Sequence, residues 1–474
     1  MEDAYCNPQA VKEKPDYRAQ RLFAGFLAAC MLLSIALYNG YPTIFSDTAS
    51  YLTTGKFFVT FAPYRAPGYA IFTKLTGLGI SARFIILTQA VMVVYVLRET
   101  CDCLIDDDRK FADFYFLASV CALAALTSLP WFVSLIMPDV FAGVLFLTAF
   151  LLAFADELRP ARRIVLAAIF TISIAAHNSL FPIAALFVAA VFVLRHFNRS
   201  PRGFSSTRSV LIWLLVPMVV AGLGIATLNR QTGLGFRLSP AKNSFLMARL
   251  FGDGLAADFL RENCPQRQFV SCRYLSHLPG TEEGFLFQHP LYREIESNEN
   301  EMAEIVRGTI LAYPVRFATS SIKEIMLQFI SLRTGDEIRN YGAREWNSRV
   351  ILQVFPGDWQ AFSNDKQNRD RLIRPAEACA KIDTTVFWIS IAACLYFAGT
   401  GRFSRINLFF YSAIAYLLIN ASICATFAGV FDRYQSRVAW IPPLCLTAYI
   451  FCMARDWKRG GTMEEVEGLQ APVN

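Results

Sequence analysis

An aspartate and an arginine that are both suited to group-transfer chemistry follow the first long apolar segment of the chain. Asp47 comes directly after Ser46, and Arg65 lies between Pro63 and Pro67. A carboxylate can take a proton from a hydroxyl group as a general base, and a guanidinium group can neutralise phosphate oxygens through its fork of N–H donors. The two residue types together suit a substrate that combines a nucleophilic hydroxyl with a leaving phosphate.

Polar residues with related chemistry occur at sequence-distant positions, each beside an apolar segment. They are Asp139, which follows Pro138, the pair His177 and Asn178, and the pair Arg433 and Arg437. Each also has a purely structural explanation. The two aspartates suit helix N-caps, the histidine suits a turn, and the arginines suit anchors to lipid headgroups. The residues by themselves leave both explanations open.

The elements that must position these residues are predicted to be membrane-spanning helices. The 474 residues are 54% hydrophobic and only 18% charged, below the roughly 25% charged residues of soluble domains. Apolar runs of about 17–22 residues recur, and a helix of about 20 apolar residues crosses the roughly 30 Å hydrocarbon core of a bilayer. We predict about ten such helices, at 22–39, 80–97, 111–129, 138–155, 164–177, 181–194, 209–227, 384–400, 406–428 and 438–454. The predicted fold is therefore an all-α polytopic membrane protein.

The distribution of Lys and Arg predicts which loops face the cytoplasm. Basic residues are concentrated in alternate short loops, as the positive-inside rule requires. They include Arg98, Arg109, Lys110, Arg159, Arg162, Arg163, Arg195, Arg199, Arg402, Arg405 and Arg455. This alternation predicts that both termini are cytoplasmic and that the loop 40–79 and the long segment 228–383 lie outside. Asp47, Asp139, His177 and Arg433 then share the outer face, which is the strongest argument that they act together.

The segment 228–383 is predicted to be a mostly helical outer domain. It divides an N-terminal membrane module, 1–227, from a C-terminal membrane module, 384–474. Within it, residues 306–332 are apolar enough to span a membrane but include Arg316 and Lys323. Because charges at the bilayer centre are costly, we interpret this stretch as an amphipathic helix that lies along the interface.

The cysteines add one structural prediction. Most of the twelve lie in apolar segments, where cysteine behaves as a small hydrophobic residue. Cys264 and Cys272 lie in the outer segment, where an oxidising compartment favours a disulfide between them. Two free thiols are the alternative.

The arrangement of these motifs resembles the GT-C superfamily of polytopic glycosyltransferases, which use polyprenyl-phosphate sugars. That group includes protein O-mannosyltransferases and the lipid A aminoarabinose and galacturonic acid transferases. The sequence around Ser46-Asp47 is similar to the acidic motif of the first outer loop, and residues 63–69 resemble the basic, proline-rich segment that follows it. Pro138-Asp139 lies where the family has its second acidic residue, and the long outer segment after the seventh span is also similar.

The resemblance implies a role for each candidate residue. Asp47 would be the catalytic base, Asp139 would support it or the acceptor, and Arg65, Arg433 and Arg437 would bind the donor phosphate. Tyr64, His177 and Asn178 are candidates for contact with the acceptor or substrate. The first motif of the family often holds two acids, whereas Ser46 replaces one of them here. The resemblance therefore leaves a requirement for a divalent metal open.

The implied partners are a polyprenyl-phosphate sugar donor, a glycan acceptor that is itself lipid-linked, and membrane lipids, with no nucleic acid. The implied location is a bacterial inner membrane with a periplasmic active site. Two other functions compete with this interpretation. One is a transporter or lipid flippase, although the sequence has neither a Walker motif nor two corresponding halves. The other is a non-catalytic envelope assembly protein that would use the acidic segment 291–309 as its contact surface.

Overall fold

The computed structural model describes residues 15–57, 65–105, 109–155, 158–197, 207–336 and 338–468, and these residues form helices joined by loops. The first module contains α1 Pro15–Leu32, α2 Ser34–Asn39, α3 Thr48–Phe57, α4 Pro67–Gly77, α5 Arg83–Leu104, α6 Arg109–Leu126, α7 Leu129–Ser134, α8 Val140–Phe154, α9 Pro160–Ala176, α10 Leu180–Phe197 and α11 Thr207–Gln231. The outer segment contains α12 Lys242–Gly252, α13 Leu255–Asn263, α14 Pro290–Ile295, α15 Glu299–Ala312, α16 Pro314–Ile330, α17 Trp346–Val354 and α18 Trp359–Ser363. The last module contains α19 Ile373–Gly399, α20 Ser404–Ala428, α21 Asp432–Ser436 and α22 Ile441–Gly468. The described ranges hold no β-strand beyond an isolated bridge between Thr43 and Leu135.

Five stretches of the described chain are long and apolar enough to cross a membrane, which supports a polytopic membrane protein. They are Arg83–Leu104, Val210–Gln231, Ile373–Gly399, Ser404–Ala428 and Asp432–Trp457. Each overlaps one of the predicted spans. Three more predicted spans fall on shorter apolar helices, Phe111–Leu126, Val140–Phe154 and Leu180–Arg195. The predicted span 22–39 is divided between α1 and α2, and the predicted span 164–177 lies within the 17-residue α9.

Helix α8 is apolar along its whole length but is shorter than the hydrocarbon core of a bilayer. All of its 15 residues are buried, so it is surrounded by protein. At 1.5 Å per residue it is only about 22 Å long. Gly143 on α8 lies against the indole of Trp440, and a Cβ atom there would clash with that ring. The central helix is therefore held by close packing within the bundle.

The loop that carries Asp47 is attached to the loop that precedes Asp139. The Thr43 N–H donates to the Ser134 carbonyl at 2.9 Å, and the Ile136 N–H donates to the Thr43 carbonyl at 3.0 Å. These two hydrogen bonds form the isolated bridge. They place the two acidic loops side by side before any side chain of the candidate site is considered.

The outer segment divides into two parts, which sequence reasoning treated as one domain. Residues 247–306 contain a separate apolar cluster that includes Phe251, Phe259, Phe285 and Ile305. In contrast, apolar residues of α17 and α18, such as Val350 and Phe362, belong to the main core of the membrane bundle. The apolar residues of α17 recur at helical spacing and form one face. That face packs onto the bundle rather than onto the rest of the outer segment.

Cys264 and Cys272 form a disulfide with their Cα atoms 5.6 Å apart. It closes a short loop beside the apolar cluster of the outer part. The segment 306–332, for which we predicted a single amphipathic helix, is broken at Tyr313, between α15 and α16. Helix α16 exposes apolar side chains that include Val315, Ile322, Met326 and Ile330. That exposed face is the one the interfacial interpretation requires.

Candidate active site

Asp47 lies between two arginines from different parts of the chain. Its carboxylate forms an ion pair with Arg65, and the second carboxylate oxygen lies 3.5 Å from a guanidinium nitrogen of Arg433. The three side chains are only 10%, 14% and 13% exposed, respectively. Arg65 lies two residues before the start of α4, and Gly68 of this helix lies so close to the Ala175 carbonyl that a Cβ atom would clash with it. The fold therefore brings together Asp47 and two of the three arginines that the sequence analysis predicted to bind the donor phosphate.

The arginines have further contacts that fix their positions. The guanidinium group of Arg433 lies over the ring of Phe45, 4.4 Å from its centroid, and 5.1 Å from that of Tyr434. Such cation–π contacts contribute about 0.5–2 kcal/mol each. The buried Nη1 atom of Arg433 is the one that faces Asp47 at 3.5 Å, and it forms no hydrogen bond to any described residue. A buried donor without a hydrogen bond is costly, and a closer acceptor atom of a ligand would remove that cost.

Two amide side chains from the outer segment hold the backbone around Asp47. The Asn347 amide donates to the Ser46 carbonyl at 3.2 Å and accepts from the Ala49 N–H at 2.9 Å. Gln367 does the same at Ile44, accepting from its N–H at 3.0 Å and donating to its carbonyl at 2.8 Å. Sequence reasoning missed both residues, because each lies about 300 positions from its partner and no spacing pattern indicates the pairing. They act on the site through the backbone rather than through a substrate.

Replacing Asn347 with leucine is expected to destabilise the segment around Asp47 by about 1–3 kcal/mol, the usual cost of leaving buried polar groups without partners. Leucine is branched at Cγ like asparagine but can neither donate nor accept, so the Ser46 carbonyl and the Ala49 N–H lose their partner. Hydrogen exchange at the Ala49 amide should rise accordingly. Leu352→Asn, an exposed position on the same helix, is the control. Unchanged protection of Ala49 in the Asn347→Leu protein would contradict the assigned role.

Asp139 and Arg437 form a second, fully buried ion pair behind the first cluster. Their closest charged atoms are 3.4 Å apart, and the side chains are 2% and 0% exposed. Arg437 also donates to the Ser179 hydroxyl at 3.2 Å and to the Asn420 amide oxygen at 3.0 Å. The Asp139 carboxylate makes no capping hydrogen bond to α8. The helix-cap explanation of this residue therefore does not hold, and the pairing with Arg437 takes its place.

His177 and Asn178 lie near this second pair. The His177 Nδ1 atom is 2.8 Å from the Ser179 hydroxyl and accepts from the Ser179 N–H, and its ring lies 6.2 Å from that of Tyr434. His177 therefore orients the serine that contacts Arg437. Tyr64, the remaining candidate for substrate contact, lies outside the described residues.

A cavity of about 360 Å³ opens beside Asp47. This volume is within the range of roughly 300–1,000 Å³ that small-molecule sites occupy. Its lining has a polar end formed by Asp47, Arg65 and Arg433, aromatic walls that include Phe45, Phe245, Phe287, Tyr292, Trp346, Phe431 and Tyr434, and two further carboxylates, Glu283 and Asp336. Asp139, His177, Asn178 and Arg437 are not among the lining residues. Asp139 instead borders an adjoining pocket of about 30 Å³, which also contacts Arg433.

The cavity lies between the bundle and the outer segment. Glu283, Leu286 and Phe287 belong to or adjoin a π-helical turn, Gly284–Gln288, a conformation that is frequent at functional sites. On the opposite side, Gln328 of α16 exchanges two hydrogen bonds of 2.9 Å with the backbone of Phe431. Helix α16 thus fixes one aromatic wall of the cavity while its other face is apolar and exposed.

The donor set does not fit a divalent cation. Hard cations need several oxygen ligands, and the Asp47 carboxylate already faces two guanidinium groups, which would repel a metal ion. Within the described ranges, no group of three or more His, Cys, Asp or Glu side chains is arranged to hold a metal. The charges around Asp47 therefore suit an anion rather than a metal ion.

Asp365 makes the stability of the region around the Asp47 loop depend on pH. Its carboxylate accepts from the Asn368 N–H at 2.7 Å and from the Asn39 amide at 3.3 Å, beside the Gln367 clamp. Burial raises the pKa of Asp365 from its usual 3.8 to about 7. The folded protein then binds a proton that the unfolded chain has lost. The contribution of this group to stability therefore falls as pH rises from about 4 to about 7 and is constant above that range.

We expect the melting temperature to fall by a few degrees between pH 5 and pH 8, at about 2–4 °C per kcal/mol. Replacing Asp365 with asparagine should flatten this dependence, because the amide does not titrate. The check is thermal unfolding of both proteins in the same detergent across this range. An equally steep curve for the asparagine variant would exclude Asp365 as the source.

Comparisons of the chain with models of protein families, with curated proteins and with solved structures find no match. The geometry of the cavity is therefore the basis on which a function is assigned.

Proposed function

We propose that the chain is a membrane glycosyltransferase of the GT-C type, with about ten membrane-spanning segments. It would transfer a sugar from a polyprenyl-phosphate donor to a hydroxyl group of an acceptor, a lipid-linked glycan, at the outer face. The proposed location is a bacterial inner membrane, with cytoplasmic termini and a periplasmic site. The observation that carries the proposal is a carboxylate flanked by two arginines at one end of an aromatic-walled cavity.

The donor phosphate would bind Arg65 and Arg433. Both guanidinium groups reach the polar end of the cavity, and their forked donors match phosphate oxygens. Arg437 is not part of this set, since it is fully buried against Asp139. Asp139 would influence the donor only indirectly, because it borders the small pocket beside Arg433 rather than the main cavity.

The sugar would lie against the aromatic walls, and the prenyl chain would leave toward α16. Trp346 and Phe287 are partly exposed and line the cavity, so their rings are open to a sugar face. The hydrogen bonds between Gln328 and Phe431 connect the cavity wall to the exposed apolar face of α16. A lipid-linked donor needs both a polar pocket and an apolar route beside it.

The chemical step is a direct displacement. The acceptor hydroxyl gives its proton to the Asp47 carboxylate, and its oxygen forms a bond to the anomeric carbon with inversion. The bond between that carbon and the phosphate oxygen breaks, and the electron pair leaves with the phosphate. Arginines aimed at the departing oxygen stabilise the charge as it develops, which is commonly the largest part of catalysis.

Reconstitution of the full-length protein in sealed vesicles tests the proposal. Undecaprenyl-phosphate-linked hexoses and pentoses are supplied as donors with a bacterial lipid-linked glycan fraction as acceptor, and sugar nucleotides serve as the control donor. We expect release of undecaprenyl phosphate and transfer of the label only from the lipid-linked donors. Movement of the labelled lipid across the membrane without transfer would instead support a flippase.

A further inference from the structure

We propose that Asp47 occupies the phosphate-binding position in the unliganded protein, and that an incoming phosphate group displaces its carboxylate from Arg65 and Arg433. This inference rests on the proposed function, because it describes how the same cavity would bind its donor. The ligand class is a phosphate ester carried by a lipid headgroup, and inorganic phosphate shares the chemistry that is recognised. Asp47 is then both an internal competitor of the donor and the base that the donor releases.

The first support is that one small anionic group already bridges two cations at the end of an open cavity. Asp47 contacts both Arg65 and Arg433, and all three side chains line the cavity. A carboxylate and a phosphate present similar oxygen acceptors to a guanidinium fork. Whatever phosphate enters this end of the cavity meets donors that the carboxylate occupies.

The second support is that the surroundings of the carboxylate are fixed while its contact with Arg433 is weak. The guanidinium group of Arg433 is held over the Phe45 ring, and the backbone on both sides of Asp47 is held by Asn347. The Nη1 atom of Arg433 faces Asp47 at 3.5 Å without forming a hydrogen bond to any described residue. A rotation of the Asp47 side chain is therefore enough to exchange one anion for the other, and a phosphate oxygen would give Nη1 the hydrogen bond that the carboxylate does not provide.

The third support is charge balance through the reaction. Two guanidinium groups and one carboxylate leave one positive charge, which a phosphodiester donor with one negative charge neutralises. During transfer the carboxylate takes the acceptor proton and becomes neutral while the departing phosphate gains its second negative charge. The cluster thus stays neutral before and after the step, which matters in a site of low dielectric where an unpaired charge is costly.

Competition between Asp47 and the donor phosphate sets the order of donor binding and acceptor deprotonation. While one oxygen accepts from Arg65 and the other lies beside Arg433, the Asp47 carboxylate has fewer lone pairs open to a proton. Donor binding frees them, so deprotonation of the acceptor follows donor binding. In the absence of donor, the site is closed to general-base chemistry.

Anion affinity tests this competition directly. Binding of inorganic phosphate in solution, and of undecaprenyl phosphate in nanodiscs, is measured for the full-length wild type, Asp47→Asn and Asp47→Ser. Removing the competing charge should tighten binding by about 10- to 100-fold, the equivalent of about one hydrogen bond to a charged group. Glu304→Gln removes an exposed carboxylate that pairs with Arg267 and does not line this cavity, and it should change affinity by less than about threefold. Two folded variants at position 47 that bind phosphate no tighter than the wild type would overturn the proposal.

The two binding measurements and the transfer assay together distinguish failure of this inference from failure of the proposed function. Tighter binding of both inorganic phosphate and undecaprenyl phosphate supports competition at a site that binds lipid phosphate. Tighter binding of inorganic phosphate alone supports the competition but contradicts a lipid-linked donor. If the variants bind tighter while the wild type transfers no sugar, the competition stands and the glycosyltransferase proposal fails.

Discussion

Replacing Asp47 with asparagine is expected to lower the turnover number for sugar transfer by about 10²–10⁴-fold, the usual contribution of a general base. Asparagine keeps the shape of the side chain and can still accept a hydrogen bond from a guanidinium group, but it cannot take the acceptor proton. The KM for the donor should fall, because the competing carboxylate is gone and KM approaches the dissociation constant when the chemical step is slow. Both constants are obtained from the release of undecaprenyl phosphate at varied donor concentration.

Glu304→Gln is the matched control for this variant. Glu304 is an exposed carboxylate of α15, paired with Arg267 and remote in role from the cavity. The same loss of charge there should leave the turnover number within about twofold of the wild type, as for most surface substitutions. An Asp47→Asn protein that folds and retains full activity would remove Asp47 from its role as base. Loss of function in the Glu304→Gln protein would instead favour the acidic segment as a partner-binding surface.

Breaking the buried pair should have the largest effect on stability. Replacing Arg437 with methionine leaves the Asp139 carboxylate buried without its charged partner, which typically costs about 3–5 kcal/mol. Replacing Asp139 with leucine should cost a similar amount, because it leaves the buried guanidinium group unpaired. The double variant, Arg437→Met with Asp139→Leu, substitutes an apolar pair of comparable size and should recover most of the loss. Melting temperature and the monodisperse fraction on size exclusion measure the three proteins.

The double variant also separates structural from chemical roles. If the pair serves stability and the placement of Arg433, the double variant should regain both fold and a measurable part of the transfer rate. A double variant that folds as well as the wild type yet transfers nothing would show that Asp139 or Arg437 acts on the reaction itself. Single variants with unchanged melting temperatures would contradict the structural role assigned here.

The part of the site that sequence reasoning predicted depends on local and topological signals. Asp47 and Arg65 are 18 positions apart in the predicted outer segment 40–79, so their proximity was predictable from the sequence even though α3 lies between them. The distribution of basic residues in short loops predicts that Arg433 shares a membrane face with Asp47, and the two side chains are in contact. The apolar runs predicted membrane-spanning helices, and five of these match stretches of the required length and hydropathy.

The remaining part depends on contacts that no sequence pattern encodes. Arg433 and Arg437 are four positions apart, and helical spacing would place them on one face. Helix α21 ends at Ser436, however, and Arg437 lies beyond its end and points to Asp139. The hydrogen bonds of Asn347 to the backbone on both sides of Asp47 likewise depend on how α17 packs on the bundle. These contacts follow from tertiary packing, which is specified by shape rather than by periodicity.

A structure of the full-length protein in nanodiscs with undecaprenyl phosphate bound would test most directly whether Asp47 and the donor compete for the two arginines. We expect the phosphate at the polar end of the cavity, in contact with Arg65 and Arg433, with the Asp47 carboxylate turned away from both and the prenyl chain running toward α16. A phosphate bound elsewhere, with Asp47 still between its two arginines, would rule out both the competition and the proposed donor site.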